Sequence, residues 1–133
     1  MNLLGHGLDL IECERIAEIV RRHGDRFMTR VLTEAERAHS ARLAQPIPHI
    51  AGRFAAKEAV LKVLGTGWRG SIAWTDVEVI NDANGRPTVR LHGACRQIAR
   101  RLGIDEILLS ITHTANYAAA SAIGMGKSSG ASE

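Results

Sequence analysis

At 133 residues, with 45% hydrophobic and 23% charged side chains, the chain has enough length for one buried core and too little for two ordinary domains. Its net charge of +3 is a mild basic excess spread over several segments. That disfavours nucleic acid and leaves a phosphate-rich or acidic partner open. No run approaches a membrane span, and the N-terminus lacks a basic start or a cleavable apolar core; Cys13 and Cys95 are too few for a secreted disulfide framework, so a cytoplasmic protein with buried free thiols is expected.

Residues 3–11, LLGHGLDLI, read as a strand that is apolar apart from His6 and Asp9. Helical spacing runs from Glu12 to His23, with Ile16, Ile19 and Val20 on one face, and Gly24 suits the position past its end. Asp25 can cap a short helix carrying Phe27, Val31 and Leu32. Thr33 and Glu36 form a capping-box pattern, opening a helix that ends before Pro46 and Pro48. The central helix is expected from about Ile50 to Leu64, with Gly65 as its stop. A glycine-punctuated loop, GTGWRGSIA at 65–73, leads to an alternating strand at 75–80. Asn84-Gly85 signals a hairpin, and residues 87–91 return.

Gly93 to Leu102 is again helical, with Cys95, Ile98, Ala99 and Leu102 inward and Arg96, Arg100 and Arg101 outward. Residues 107–112 form a strand. Alanine content at 117–123 favours helix, but Thr114-Ala115-Asn116 looks like a turn, so a hairpin strand is expected there. The class is α+β: one domain over residues 1–125, with a flexible tail at 126–133.

Two acids stand out. Asp9 interrupts an apolar strand, where a carboxylate must face solvent or find a cation. Glu58 lies on the central helix four residues before Lys62, one turn away on the same face. A routine ion pair of about 0.2–0.5 kcal/mol would explain that spacing. The same acids could instead hold magnesium, which takes one or two carboxylates plus substrate phosphates and water. His113, between threonines at a strand end, could bind phosphate, donate a hydrogen bond or act as a base, or simply occupy a turn. The other histidines show no metal-ligand spacing, the GTG segment follows a helix where a phosphate loop would precede one, and no serine has a nucleophile-elbow context.

Three segments, GHGLDLIECERI at 5–16, RFAAKEAVLKVLGTG at 53–67 and LLSITHTANYAAASAI at 108–123, together resemble the holo-acyl-carrier-protein synthase family of small phosphopantetheinyl transferases. The hairpin DVEVINDANGRPTVRLHG between them has the same look; Thr112 stands where serine is commoner. The resemblance implies an antiparallel sheet wrapped around the long central helix, the 4'-phosphopantetheinyl transferase-like fold. It implies Asp9 and Glu58 as ligands of Mg2+, and Lys62 as support for the transferred phosphate and donor to the leaving group. Arg53, Lys57, Lys62, His113 and Thr114 match positions near the coenzyme A phosphates. Arg15 matches a docking position for an acidic acyl carrier protein, although Glu14 stands where a basic residue is common. The family assembles as homotrimers with sites between subunits.

The implied reaction is a displacement at the β-phosphorus of coenzyme A by a carrier-protein serine, with Glu58, directly or through water, as candidate base. It would release adenosine 3',5'-bisphosphate and needs positioning and charge neutralisation more than covalent help. The rival readings are a non-catalytic basic module for an acidic protein or nucleic acid, and a magnesium-dependent hydrolase of a nucleotide diphosphate.

Overall fold

The computed structural model describes residues 1–67 and 70–127. In chain order these form β1 (Asn2–Glu12), α1 (Cys13–His23), α2 (Asp25–Val31), α3 (Glu34–Ser40) and α4 (Pro46–Leu64). A 3-10 turn at Trp74–Asp76 follows, then β2 (Val77–Asn81), β3 (Pro87–Leu91), α5 (Gly93–Leu102), β4 (Ile104–His113) and β5 (Tyr117–Gly126). The strands make two antiparallel sheets, one ordered β1-β5-β4 and the other the hairpin β2-β3. α4 packs on all three strands of the first sheet and on β2. The sheet does wrap a central helix, but its strands are divided between two ladders.

α4 is apolar nearly all round, and such a helix belongs in a core. Ala51, Ala55, Ala56, Ala59 and Val60 are wholly buried. Their small side chains let the sheet come close, and β1 answers with glycine. A Cβ on Gly5 would crowd Val63, and one on Gly7 would collide with the Ala59 backbone. Since Gly5 meets Val63 and Gly7 meets Ala59, β1 and α4 run in opposite directions. Two strand residues rise about 6.7 Å and four helical residues about 6 Å, so the two elements stay in step. The next inward residue of β1 is Asp9, which this register brings opposite the turn of α4 at residues 55–58.

Several boundaries differ from the sequence expectation. α4 starts at Pro46, not near Ile50, because prolines in a first turn lack an amide that no helical bond needs there. The strand predicted at 75–80 begins at Val77, its first residues being wound into the 3-10 turn. Residues 117–126 are strand, as expected for a segment paired on both sides, with Ala118, Ala120 and Ala122 buried against α4. Leu102, predicted inward, is 47% exposed. β5 extends to Gly126, one residue into the predicted tail; residues 128–133 of that tail, and Trp68 and Arg69 of the glycine loop, lie outside the described residues.

The Thr33–Glu36 capping box forms: the Thr33 hydroxyl accepts from the Glu36 amide at 3.2 Å, and Glu36 accepts from the Thr33 amide at 2.8 Å. Cys13 and Cys95 are free and buried, and burial pushes the Cys95 thiol up to about 11. That is the behaviour of inert core thiols. Among the described residues no helix is long and apolar enough to cross a membrane.

Candidate active site

Asp9 finds its cation. Its carboxylate, with the side chain 19% exposed, lies 3.3 Å from the Lys62 ammonium, which also donates to the Leu8 carbonyl at 2.7 Å. The geometry follows from the helix itself. Side chains on a helix lean toward its N-terminus, so Lys62 points back along α4 toward the level of Glu58 and onto β1. Glu58, half-buried, is one turn before Lys62 on that face. Asp9, Glu58 and Lys62 thus share one strand-helix crossing, made possible by Gly7.

Hard oxygen donors at such a crossing fit magnesium. Among the described residues no group of three or more His, Cys, Asp or Glu is arranged to hold a metal ion. A metal here would draw two carboxylates from the chain and the rest from phosphate and water, which is the way magnesium is commonly held.

Lys57 departs from its expected role. Its side chain is wholly buried on another face of α4, and its ammonium donates to Glu36 at 2.9 Å, to the Trp74 carbonyl at 3.2 Å and to the Val77 carbonyl. An ammonium has three protons, and all three have acceptors inside the protein, so Lys57 is not placed to meet coenzyme A. Burial pulls its pKa below the ordinary lysine range, opposed by Glu36. Glu36 completes the network by accepting from the Val79 amide at 2.8 Å. Lys57 ties α4 to α3 and β2; local spacing carries no sign of this, because adjacent Lys57 and Glu58 look alike as surface charges until the helix is given its azimuth.

Arg53 is also largely buried, donating to the Asn81 side chain at 2.9 Å. His113 ends β4 in register with Ala118 and is exposed. Thr114 organises the β4–β5 turn: its hydroxyl accepts from the Asn116 and Tyr117 amides at 3.2 and 3.1 Å. Near Arg53 and His113 the fold adds two residues that spacing did not reveal. The rings of His39 and His49 lie 4.9 Å apart between centroids. Burial, then the positive neighbours Arg53, His39 and His113, push His49 down to about 4.

Arg15 is exposed near the start of α1, whose first amide, that of Cys13, donates to the Asn116 carbonyl at 2.8 Å. The outward arginines of α1 are not all available to a partner. Arg21 pairs with Glu14 and Glu18, and Arg22 with Glu18.

Known proteins resemble this chain in sequence and in fold. Residues 5–122 match the family model described as "ACPS: 4'-phosphopantetheinyl transferase superfamily". The holo-[acyl-carrier-protein] synthase of Koribacter versatilis is 46% identical over 121 residues, covering 91% of this chain and 97% of that protein. That of Solibacter usitatus is 47% identical over 113 residues, covering 85% and 90%. Among solved structures, the synthase from Neisseria meningitidis superposes with a TM-score of 0.86 at 29% identity, covering 93% of this chain and 99% of that one. The synthase from Bacillus anthracis in complex with CoA (3',5'-ADP) gives a TM-score of 0.78 at 34% identity, covering 94% and 98%. With its α+β fold, its strand-helix crossing and a match over nearly its whole length, the chain belongs to the 4'-phosphopantetheinyl transferase superfamily.

Proposed function

We propose that the chain transfers the 4'-phosphopantetheine group from coenzyme A to a serine of apo-acyl carrier protein in the cytoplasm, with Asp9 and Glu58 holding Mg2+. The observation that carries the site assignment is the meeting of Asp9 with Lys62 at a crossing that also carries Glu58. When bound, magnesium would neutralise diphosphate charge and polarise the phosphorus.

The chain's own residues do the rest. The Lys62 ammonium, held near Asp9, is in position to follow a phosphate oxygen and to give a proton as the adenosine 3',5'-bisphosphate leaves. Glu58 takes the proton of the carrier serine, directly or through a water. Arg53 and His113 meet the remaining coenzyme A phosphate, with Thr114 shaping the turn beside them. Arg15 meets an acidic helix of the carrier, so association weakens as salt rises.

The outward face of the β1-β5-β4 sheet supports assembly as a homotrimer. Leu8 is 59% exposed, Leu10 66%, Leu108 45% and Tyr117 46%, and an apolar patch of this kind is usually covered by a partner.

The test is incubation with coenzyme A, magnesium and apo-carrier protein, followed by mass spectrometry of the carrier. Addition of phosphopantetheine is expected. Nucleotide release with no addition would mean hydrolysis, and neither would mean a binding module. Glu58→Gln should lose transfer while keeping its circular dichroism spectrum; near-normal transfer by that variant would sink the metal-ligand assignment.

A further inference from the structure

α1 buries Cys13 and Ile16 against the core and turns Glu14, Arg15, Glu18, Arg21 and Arg22 outward. Glu18 is the hub of that stripe. Glu14, Arg15, Arg21 and Arg22 all lie three or four residues from it, one turn away on the same face. Arg21 reaches back to Glu14 at 3.2 Å and to Glu18, and Arg22 donates to Glu18 at 3.1 Å. Side chains of a helix lean toward its N-terminus, which carries both arginines onto the acids that precede them. Among the described residues, every ion pair of Glu14, Glu18, Arg21 and Arg22 is made within α1, and Arg15 forms none.

The helix itself accounts for only one of the acids. Glu14 stands in the first turn, where the helix dipole favours a carboxylate. Glu18 is mid-helix with its side chain 44% exposed, and exposed pairs of this kind add little to stability and exchange partners easily. Their larger consequence is for a charged surface that approaches α1. We infer that Glu14 and Glu18 determine how strongly α1 takes an acidic helix of the carrier, and so which carriers it takes. They occupy the two arginines such a helix would otherwise reach, and they repel its carboxylates. The inference rests on the reading above that α1 receives the carrier, with Arg15 as its open contact.

The consequence for specificity has a definite sign. With two of its three arginines offset, α1 separates strongly acidic carriers from less acidic ones by less than a helix free of acids would. Glu14 and Glu18 thereby widen the range of carriers accepted and lower the affinity for the most acidic.

The experiment is steady-state transfer by the full-length chain and by its Glu14→Gln, Glu18→Gln and doubly substituted variants. Two substrates are compared, an apo-acyl carrier protein and the same carrier with the acids of its docking helix changed to amides, at about 50 mM and about 300 mM salt. With the acidic carrier at the lower salt, Glu18→Gln should lower KM roughly 3- to 10-fold, and the double variant at least as far. kcat and KM for coenzyme A should stay within about twofold. The gain should shrink at the higher salt and with the amide carrier. Should Glu18→Gln fail to fold, Glu14→Gln carries the same expectation through Arg21. An unchanged or raised KM for the acidic carrier in the folded variants would overturn the proposal. So would a lowered melting temperature with no change in the preference between the two carriers, which is the mark of acids that only brace the helix. Arg15→Glu tests the underlying reading separately. If it raises KM for the carrier no more than KM for coenzyme A, docking at α1 falls; if it raises the carrier KM alone and the glutamine variants change nothing, only the role of Glu14 and Glu18 falls.

Discussion

The Lys62 ammonium bridges the Leu8 carbonyl, at 2.7 Å, and the Asp9 carboxylate, at 3.3 Å, from one turn beyond Glu58. One helix lysine thereby ties α4 to the strand residue proposed as a metal ligand. Lys62→Ala is expected to lower kcat about 100-fold or more, as loss of a proton-transfer residue does, with a smaller change in KM for coenzyme A. An unaltered kcat in steady-state assays would remove Lys62 from the chemistry.

Arg15 offers a second test because its neighbours differ in availability. Arg21 and Arg22 are engaged by Glu14 and Glu18 within α1. Arg15→Glu should raise KM for carrier protein at least 10-fold, about 1.4 kcal/mol, and leave KM for coenzyme A nearly constant. An equal rise for both substrates would count against docking at α1.

The buried Lys57–Glu36 pair should behave as a structural tie. Lys57→Met leaves Glu36 buried without its ammonium and should cost about 3–5 kcal/mol in chemical denaturation. Adding Glu36→Leu should recover part of that loss, since two apolar groups leave no uncompensated charge. A Lys57→Met protein of wild-type stability would show that the tie is dispensable.

His49 also sets an acid limit on stability. Its folded pKa, about 4, lies below the ordinary 6.5, so the unfolded chain takes up a proton first as pH falls. Stability is therefore unaffected by this group above about pH 6.5 and declines from there toward pH 4. Allowing for partial exposure, the loss should be roughly 1–2 kcal/mol. Denaturant melts of wild type and His49→Phe at pH 7.5 and 5 would check it: the variant should lose less on acidification.

Gly7 provides a packing test. Any side chain there meets the backbone of Ala59. Gly7→Val should therefore part β1 from α4, with a melting temperature lowered by several degrees and transfer activity reduced together with it. Full activity in this variant would mean that the crossing is not what assembles Asp9, Glu58 and Lys62.

The elements were legible in the sequence where local physics decides them. The Thr33–Glu36 cap, the glycine stop at Gly65 and the Asn84-Gly85 hairpin depend on groups a few residues apart, and each forms. Asp9 and Glu58 could be suspected for the same reason: a carboxylate in an apolar strand, and an acid one turn from a lysine, are local anomalies. What local reading could not give was direction. Lys57 and Glu58 are adjacent, and only the packing of α4 against two sheets sends Lys57 into a buried network and leaves Glu58 on the face shared with Lys62. The same holds for His39 and His49, ten residues apart and on different helices, whose rings meet where α3 packs against α4. Sequence fixes what costs or gains free energy within a turn or a strand; long-range burial of α4 decides which charges face one another.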